Sequence, residues 1–272
     1  MRFVHVASRM EDGFNQVMRM QCELDSSVMS GAHAHVQLVA VKSLKRARSC
    51  QQRASMAHRL GMLQALQHPH VVRYYTNNLA SGDEEICIVM EAWGVSVGTL
   101  LACKQLGGTV HVYDFGTQML QALICLHGAG IVHGDVKPAN VVFASNVYKL
   151  RDVDEGSTGT AFYMSAARAW RYPQASPEDS YSDTYALGMS VLEVLCGRQP
   201  YCELENQTVV FARVCGGHMP RAWTAAARMG YDYGSDTFIA ALLESDAPQE
   251  FCRASPAELL ALLQALRGER LL

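Results

Sequence analysis

One short segment concentrates side chains that can do chemistry: His133-Gly134-Asp135-Val136-Lys137-Pro138-Ala139-Asn140. It follows a helical pattern and precedes the apolar run Val141-Val142-Phe143, so we predict a loop that enters a strand. The loop supplies a carboxylate, a lysine and an amide that can bind a metal. Phosphoryl transfer needs such groups, because a carboxylate orients and deprotonates the hydroxyl while cations stabilise the charge on the phosphate. A solvated polar loop would explain any one of these residues, but it explains the whole set poorly.

The segment resembles the catalytic loop of the protein kinase superfamily, His-Arg-Asp-x-Lys-Pro-x-Asn. The resemblance implies that Asp135 is the catalytic base, that Lys137 contacts the transferred phosphate and that Asn140 binds metal. It implies an internal structural role for His133. A lysine two positions after the aspartate resembles the serine/threonine class rather than the tyrosine class.

Three further segments resemble the parts of this family that bind nucleotide and metal. Ala40-Val41-Lys42 resembles the strand whose lysine holds the α and β phosphates, and Val89-Met90-Glu91 resembles the hinge whose backbone meets adenine. Lys149-Leu150-Arg151-Asp152 resembles the strand that leads to the metal-binding Asp of Asp-Phe-Gly. The resemblance therefore implies ATP and Mg²⁺ as cofactors, with Asn140 and Asp152 as metal ligands. Three apolar residues fall where the family sandwiches the adenine ring, although each could equally be an ordinary core residue: Val17, Ala40 and Val142.

Other matches occur in the family's order, so that the resemblance extends from about residue 8 to residue 266. They are His68-Pro69-His70-Val71-Val72, Gly159-Thr160 through Tyr163-Met164, Asp183 through Gly188, and Arg253-Ala254-Ser255.

The glycine-rich phosphate loop of the family is altered in this chain. When residues 9–17 are laid on Leu-Gly-x-Gly-x-Phe-Gly-x-Val, Met10, Asp12 and Asn15 replace the signature glycines. Glycine lets backbone amides come close to phosphates, and a carboxylate at Asp12 would repel them. Asp and Asn still favour a tight hairpin. The long spacing between Val17 and Lys42 predicts an insertion at residues 24–34.

The sequence departs from the family at four other positions. Arg59 stands where the regulatory helix carries a glutamate, and Asp152 is followed by Val153-Asp154 rather than Phe-Gly. Ser165-Ala166-Ala167 replaces Ala-Pro-Glu, so that Arg253 loses its expected partner. Gly134 replaces the arginine that receives the activation-segment phosphate.

We therefore expect activity without phosphorylation of Ser157 or Thr158. Thr160 is expected to be a structural hydroxyl close to Asp135 and Lys137.

The elements that must position these residues predict an α+β, two-lobed kinase fold in a single domain, residues 1–272. We expect a small antiparallel-sheet N-lobe with one helix to about residue 91, a hinge at 91–94, and a larger, mainly helical C-lobe over 95–272. The predicted strands are Val36–Val41 and Ile86–Met90, and the predicted helices are Ser49–Leu66, Asp114–His127, Asp183–Cys196 and Ser255–Leu266.

Composition excludes several classes of protein. Hydrophobic residues make up 49% of the 272 residues, which suffices for a sizeable core, and a net charge of −3 argues against a nucleic-acid partner. Nine cysteines without a Cys-x-x-Cys pair predict neither a zinc site nor a disulfide framework. With no apolar stretch long enough to cross a bilayer, we expect no membrane partner and an intracellular location, cytoplasmic or nuclear.

Three functions remain open at this point. The favoured one is a serine/threonine protein kinase that transfers the ATP γ-phosphate to a protein substrate. A pseudokinase that acts as an interaction or allosteric module is supported by the lost glycines, by Arg59 and by Ser165-Ala166-Ala167. A small-molecule phosphotransferase of the aminoglycoside or choline kinase type is supported by His-Gly-Asp and by Asp152-Val153-Asp154-Glu155. Three features resemble protein kinases instead: Lys137, Gly159-Thr160 and Asp183 through Gly188.

Overall fold

A computed structural model describes residues 2–12, 15–23, 36–44, 50–77, 86–153, 159–171, 180–244 and 254–269. The chain forms two compact units, residues 1–94 and 95–272. Within these described residues, the first unit consists of an antiparallel sheet with one helix, and helices dominate the second. The predicted α+β kinase fold is therefore confirmed.

The first unit is built on a five-stranded antiparallel sheet with strand order β1-β2-β3-β5-β4. Its elements are β1 (Arg2–Asp12), β2 (Asn15–Glu23), β3 (Val36–Leu44), helix α1 (Cys50–Ala65), β4 (Tyr74–Asn77) and β5 (Ile86–Glu91).

Strand β3 lies in the middle of this sheet, and the residues from Val39 to Ser43 are all buried. Because successive side chains of a strand point to opposite faces, burial of five consecutive residues means that both faces of β3 are covered here. Val39 and Val41 pack with Val89 of β5 on one side. Since side chains alternate along a strand, Ala40 and Lys42 occupy the other side.

The second unit begins with a small sheet of order β6-β7-β8 and continues with helices. Its elements are β6 (Val95–Ser96), α2 (Val97–Ala102), α3 (Thr109–Gly128), β7 (Val141–Ala144), β8 (Val147–Leu150), α4 (Ala166–Arg171), α5 (Ser180–Cys196), α6 (Gln207–Cys215), α7 (Ala225–Arg228), α8 (Tyr233–Glu244) and α9 (Pro256–Glu269). None of the helices in the described part of the chain has the length and apolar character needed to span a membrane.

Helix α5 is the central helix of this unit, since every residue from Ser182 to Val194 is buried. Two glycines let the neighbouring helices approach closely. A Cβ atom at Gly188 would lie 2.9 Å from Cβ of Leu242 in α8, and one at Gly116 in α3 would lie 2.7 Å from the Phe238 ring. The packed helices α3, α5 and α8 therefore form a rigid base for the loop between α3 and β7.

Candidate active site

The loop between α3 and β7 is fastened to α5 by one buried carboxylate. Asp183 is 1% exposed and accepts the backbone N–H of His133 on Oδ2 and the backbone N–H of Gly134 on Oδ1, each at 2.8 Å. Nε2 of His127, at the end of α3, lies 2.9 Å from Oδ2 of the same carboxylate. A buried carboxylate is stable only when it is hydrogen-bonded, so these contacts fix the loop at its start.

His133 is fully buried and uses both ring nitrogens within the protein. The backbone N–H of Asp135 donates to Nδ1 at 3.1 Å, so Nε2 carries the proton and donates to the carbonyl of Arg151 at 2.9 Å. The ring thereby joins the loop to the residue before Asp152. The structural role expected for His133 matches this geometry.

Gly134 and Gly159 are packed against each other, and both lie in the left-handed region with φ of +83° and +85°. A Cβ atom at Gly159 would lie 3.0 Å from the carbonyl oxygen of Gly134 and 2.9 Å from Cε of Met164. The absence of side chains at Gly134 and Gly159 thus lets the segment that carries Thr160 lie directly on the loop between α3 and β7. Sequence reasoning missed this contact, because it treated Gly134 only as a lost arginine.

The carboxylate of Asp135 is surrounded by three polar partners and is 12% exposed. The hydroxyl of Thr160 donates to Oδ1 at 2.7 Å, and the Asn140 amide donates to Oδ2 at 3.1 Å. Nζ of Lys137 lies 2.7 Å from Oδ2 and also donates to the Thr160 hydroxyl at 2.8 Å. The expected position of Thr160 close to Asp135 and Lys137 is therefore observed.

The orientation of the Asn140 side chain follows from its hydrogen bonds. Nδ2 donates to the backbone carbonyl of Asp135 at 2.9 Å and to its Oδ2 at 3.1 Å, so both amide hydrogens point at acceptors on one residue. Reversing the amide would place oxygen against oxygen. Oδ1 is therefore the side-chain atom that can serve as a metal ligand.

Asp152 has φ of +59°, a left-handed conformation that is uncommon for a residue other than glycine. Its Oδ2 lies 3.1 Å from Nη1 of Arg151. The same guanidinium donates to the carbonyl of Ala139 from Nε at 3.3 Å and from Nη2 at 3.0 Å. Sequence reasoning missed this role of Arg151, although its position beside a candidate metal ligand was a signal.

A backbone hydrogen bond joins the segment of Asp152 to the segment of Asn140, and Val142 follows Asn140 in β7. The backbone N–H of Arg151 donates to the carbonyl of Asn140 at 2.9 Å, which links the Asp152 segment to the catalytic loop. Val142 is 3% exposed in β7. The structure thus brings Asp135, Lys137, Asn140 and Asp152 into one connected set of contacts.

The other four candidates belong to the first unit. Ala40 and Lys42 are 1% and 3% exposed in β3, and Val17 of β2 is the register partner of Lys42. Glu91 ends β5, where its N–H donates to the carbonyl of Arg73 at 2.8 Å and its carboxylate accepts the N–H of Arg73 at 3.2 Å.

The altered phosphate loop forms the end of the β1–β2 hairpin, where Asp12 pairs with Asn15. Arg59 lies on α1 and is half-buried. Several sequence predictions lie outside the described residues: Gly13 and Phe14, the insertion at residues 24–34, Asp154 and Glu155, Ser157, Thr158 and Arg253.

A second buried carboxylate anchors the segment around Tyr163 to α5. The Tyr163 hydroxyl donates to Oε2 of Glu193 at 2.6 Å. Burial raises the pKa of Glu193 to about 6, although the hydrogen bond from Tyr163 acts in the opposite direction. Burial and the neighbouring Glu193 carboxylate raise the pKa of Tyr163, so its hydroxyl keeps its proton and remains a donor.

The metal-binding groups of the protein fit a magnesium ion whose remaining coordination positions are filled by a bound ligand, rather than one held by protein groups alone. Asn140 and Asp152 offer an amide and a carboxylate oxygen, which are hard donors that Mg²⁺ prefers. Among the residues that the structure describes, no group of three or more His, Cys, Asp or Glu side chains could hold a metal. Mg²⁺ commonly uses one or two carboxylates together with substrate phosphates, and this donor set agrees with that arrangement.

The fold is that of a two-lobed protein kinase domain. Residues 25–260 match the protein kinase domain family, and the chain belongs to this family.

Two of the following three similar proteins carry kinase names. The chain is 30% identical over 208 residues to human mitogen-activated protein kinase kinase kinase 4, which covers 70% of this chain and 12% of that protein. It is 29% identical over 198 residues to cell division control protein 7 of Schizosaccharomyces pombe, covering 67% of this chain and 18% of that protein. It is 32% identical over 180 residues to mitogen-activated protein kinase kinase kinase 1b of Physcomitrium patens, covering 61% and 22%. The chain therefore spans less than a quarter of the length of these relatives.

Proposed function

We propose that this chain is a serine/threonine protein kinase that transfers the γ-phosphate of ATP to a hydroxyl of a protein substrate. The observation that carries the proposal is the Asp135 carboxylate, held by Thr160, Asn140 and Lys137 at 2.7–3.1 Å. Family membership and the kinase names of two of these relatives support the same reaction.

Asp135 is proposed as the base. A carboxylate offers about four lone-pair sites, and three of them accept hydrogens from Thr160, Asn140 and Lys137. One site on Oδ1 remains to accept the proton of a substrate hydroxyl. The three partners fix the carboxylate orientation in advance, so that little reorganisation is needed during the reaction.

Lys137 is proposed to hold a negative charge near the base. Its ammonium contacts Asp135 and Thr160 together, so it can turn one donor towards a phosphate while keeping the other contacts. Asn140 and Asp152 would hold Mg²⁺, which supplies charge neutralisation on the phosphates when it is bound. Lys42, on the buried strand β3, is proposed to contact the nucleotide phosphates, and the backbone of Glu91 to contact adenine.

The contact between Lys137 and Thr160 favours a protein kinase over a small-molecule phosphotransferase. It uses two of the residues in which this chain resembles serine/threonine protein kinases rather than the aminoglycoside kinase group. The intact set Asp135, Lys137, Asn140 and Asp152 favours catalysis over a purely structural pseudokinase.

The test is transfer of radiolabelled phosphate from ATP to a panel of protein substrates. Asp135→Asn should lower transfer by about 10²–10⁴-fold, the usual contribution of a positioned base. Asp114→Asn, at a half-exposed carboxylate paired with Arg267 on the surface, is the matched control and should transfer phosphate like the wild type. Equal transfer by the wild type and Asp135→Asn would refute the assignment of the base. Mg²⁺-ATP binding without any transfer would instead favour the pseudokinase.

A further inference from the structure

The guanidinium of Arg151 contacts both segments that carry a proposed metal ligand, the segment of Asp152 and the segment of Asn140. It lies 3.1 Å from Oδ2 of Asp152 and donates twice to the carbonyl of Ala139, the residue before Asn140. The Arg151 side chain is only 11% exposed, and that of Asp152 is 17% exposed. This cation is therefore held at both ends and is largely shielded from water.

A cation in this place must affect any divalent metal that binds Asp152. Arginine does not lose its proton at accessible pH, so its charge stays in the site. Two cations that share one carboxylate repel each other, and the repulsion is stronger in a partly buried site than in water. Arginine is also well suited to phosphate oxygens, because its planar fork can donate several hydrogen bonds at once.

We propose that Arg151 is a resident cation of the phosphate site. Without nucleotide it neutralises Asp152, and with a nucleoside di- or triphosphate bound it donates to phosphate oxygens. Nucleotide binding in this chain consequently depends less on divalent metal than it would with a neutral residue at this position. The proposal rests on the proposed function, since it requires a nucleotide in this site.

The experiment is isothermal titration of the full chain with ATP, once in EDTA and once in excess Mg²⁺. The quantity compared is the ratio of the two dissociation constants, metal-free over metal-bound. In Arg151→Gln this ratio should be at least about tenfold larger than in the wild type, because metal-free binding loses a charged donor and Asp152 loses a competing cation. Arg151→Lys keeps the charge and should have a ratio close to that of the wild type.

A merely structural role for Arg151 predicts a different result. Loosening of the site would weaken binding in EDTA and in Mg²⁺ by the same factor and leave the ratio unchanged, which would overturn the proposal. If Arg151→Gln does not fold in a thermal melt, Arg151→Lys decides, since a ratio increased tenfold despite the retained charge would also overturn it. Failure of the wild type to bind ATP in Mg²⁺ at millimolar concentration would overturn the proposed function together with this inference. Binding with equal ratios would overturn only the role of Arg151.

Discussion

The hydroxyl of Thr160 donates its proton to Oδ1 of Asp135 at 2.7 Å, although the two residues are 25 positions apart. Thr160 thereby links the segment that follows residue 159 to the proposed base. Because Lys137 donates to the same hydroxyl, one side chain orients both charged groups.

Thr160→Ala should lower kcat by about 10–100-fold, since a hydrogen bond to a charged group contributes about 1.5–3 kcal/mol. Thr160→Ser keeps the hydroxyl and should keep most of the activity. The measurement is steady-state transfer to one protein substrate with both variants. Wild-type kcat in Thr160→Ala would show that the hydroxyl does not orient Asp135 during the reaction.

Asp183→Asn should destabilise the fold by about 2–4 kcal/mol. The asparagine has one acceptor oxygen for donors that now reach two carboxylate oxygens, and its amide hydrogens would face backbone N–H groups. Urea unfolding measures the change. Asp114→Asn is the comparison, because its exposed pair with Arg267 should contribute less than about 1 kcal/mol. Similar losses in both variants would contradict the anchoring role of Asp183.

Glu193 should make stability depend on pH in a defined direction. Its folded-state pKa of about 6 lies above the ordinary value of 4.5, so the folded protein favours the protonated form. That stabilisation is fully present below about pH 4.5 and is lost as the pH rises through 6. At neutral pH, ionised Glu193 therefore lowers the free energy of unfolding by about 2 kcal/mol relative to a neutral side chain.

Glu193→Gln tests this dependence by urea unfolding at pH values from 5 to 8. The variant should be more stable than the wild type at pH 8, and the difference should shrink towards pH 5. The exposed substitution Glu244→Gln should follow the wild-type curve. A constant difference between Glu193→Gln and the wild type across the range would rule out titration of Glu193 near pH 6.

Glycine at the end of the β1–β2 hairpin should tighten ATP binding. Asp12 of β1 is the register partner of Asn15 of β2 there. The double variant Asp12→Gly with Asn15→Gly removes a carboxylate and lets backbone amides approach the phosphates, so several-fold tighter binding is expected. Asp12→Asn alone separates the charge effect from the backbone effect. Unchanged affinity in the double variant would mean that this hairpin does not contact nucleotide.

The catalytic loop could be predicted because its chemistry is contiguous in sequence. Asp135, Lys137 and Asn140 lie within six residues, and the apolar run that follows them is the strand β7. The helical periodicities also placed α1 and α5 to within a few residues. At α9, the reciprocal hydrogen bonds of Ser255 and Glu258 form a capping box at the helix start.

What could not be predicted depends on tertiary packing. The contact of Asp183 with His133 joins residues 50 apart and exists only because α5 is buried beneath the loop. The pairing of Arg151 with Asp152 depends on a left-handed backbone at Asp152, which sequence patterns do not encode. Helix α3 begins at Thr109 rather than Asp114, because Gly108 precedes it without a side-chain cap and so gives no sequence signal of a helix start.

The attachment of the catalytic loop to α5 has a consequence for its dynamics. Loop amides generally exchange with solvent through small local openings, whereas amides of a core helix exchange only when most of the fold opens. The N–H groups of His133 and Gly134 donate to a carboxylate on a helix whose residues 182–194 are all buried. Their deuterium uptake should therefore be as slow as that of α5 itself. In terms of local stability, the start of this loop belongs to the core.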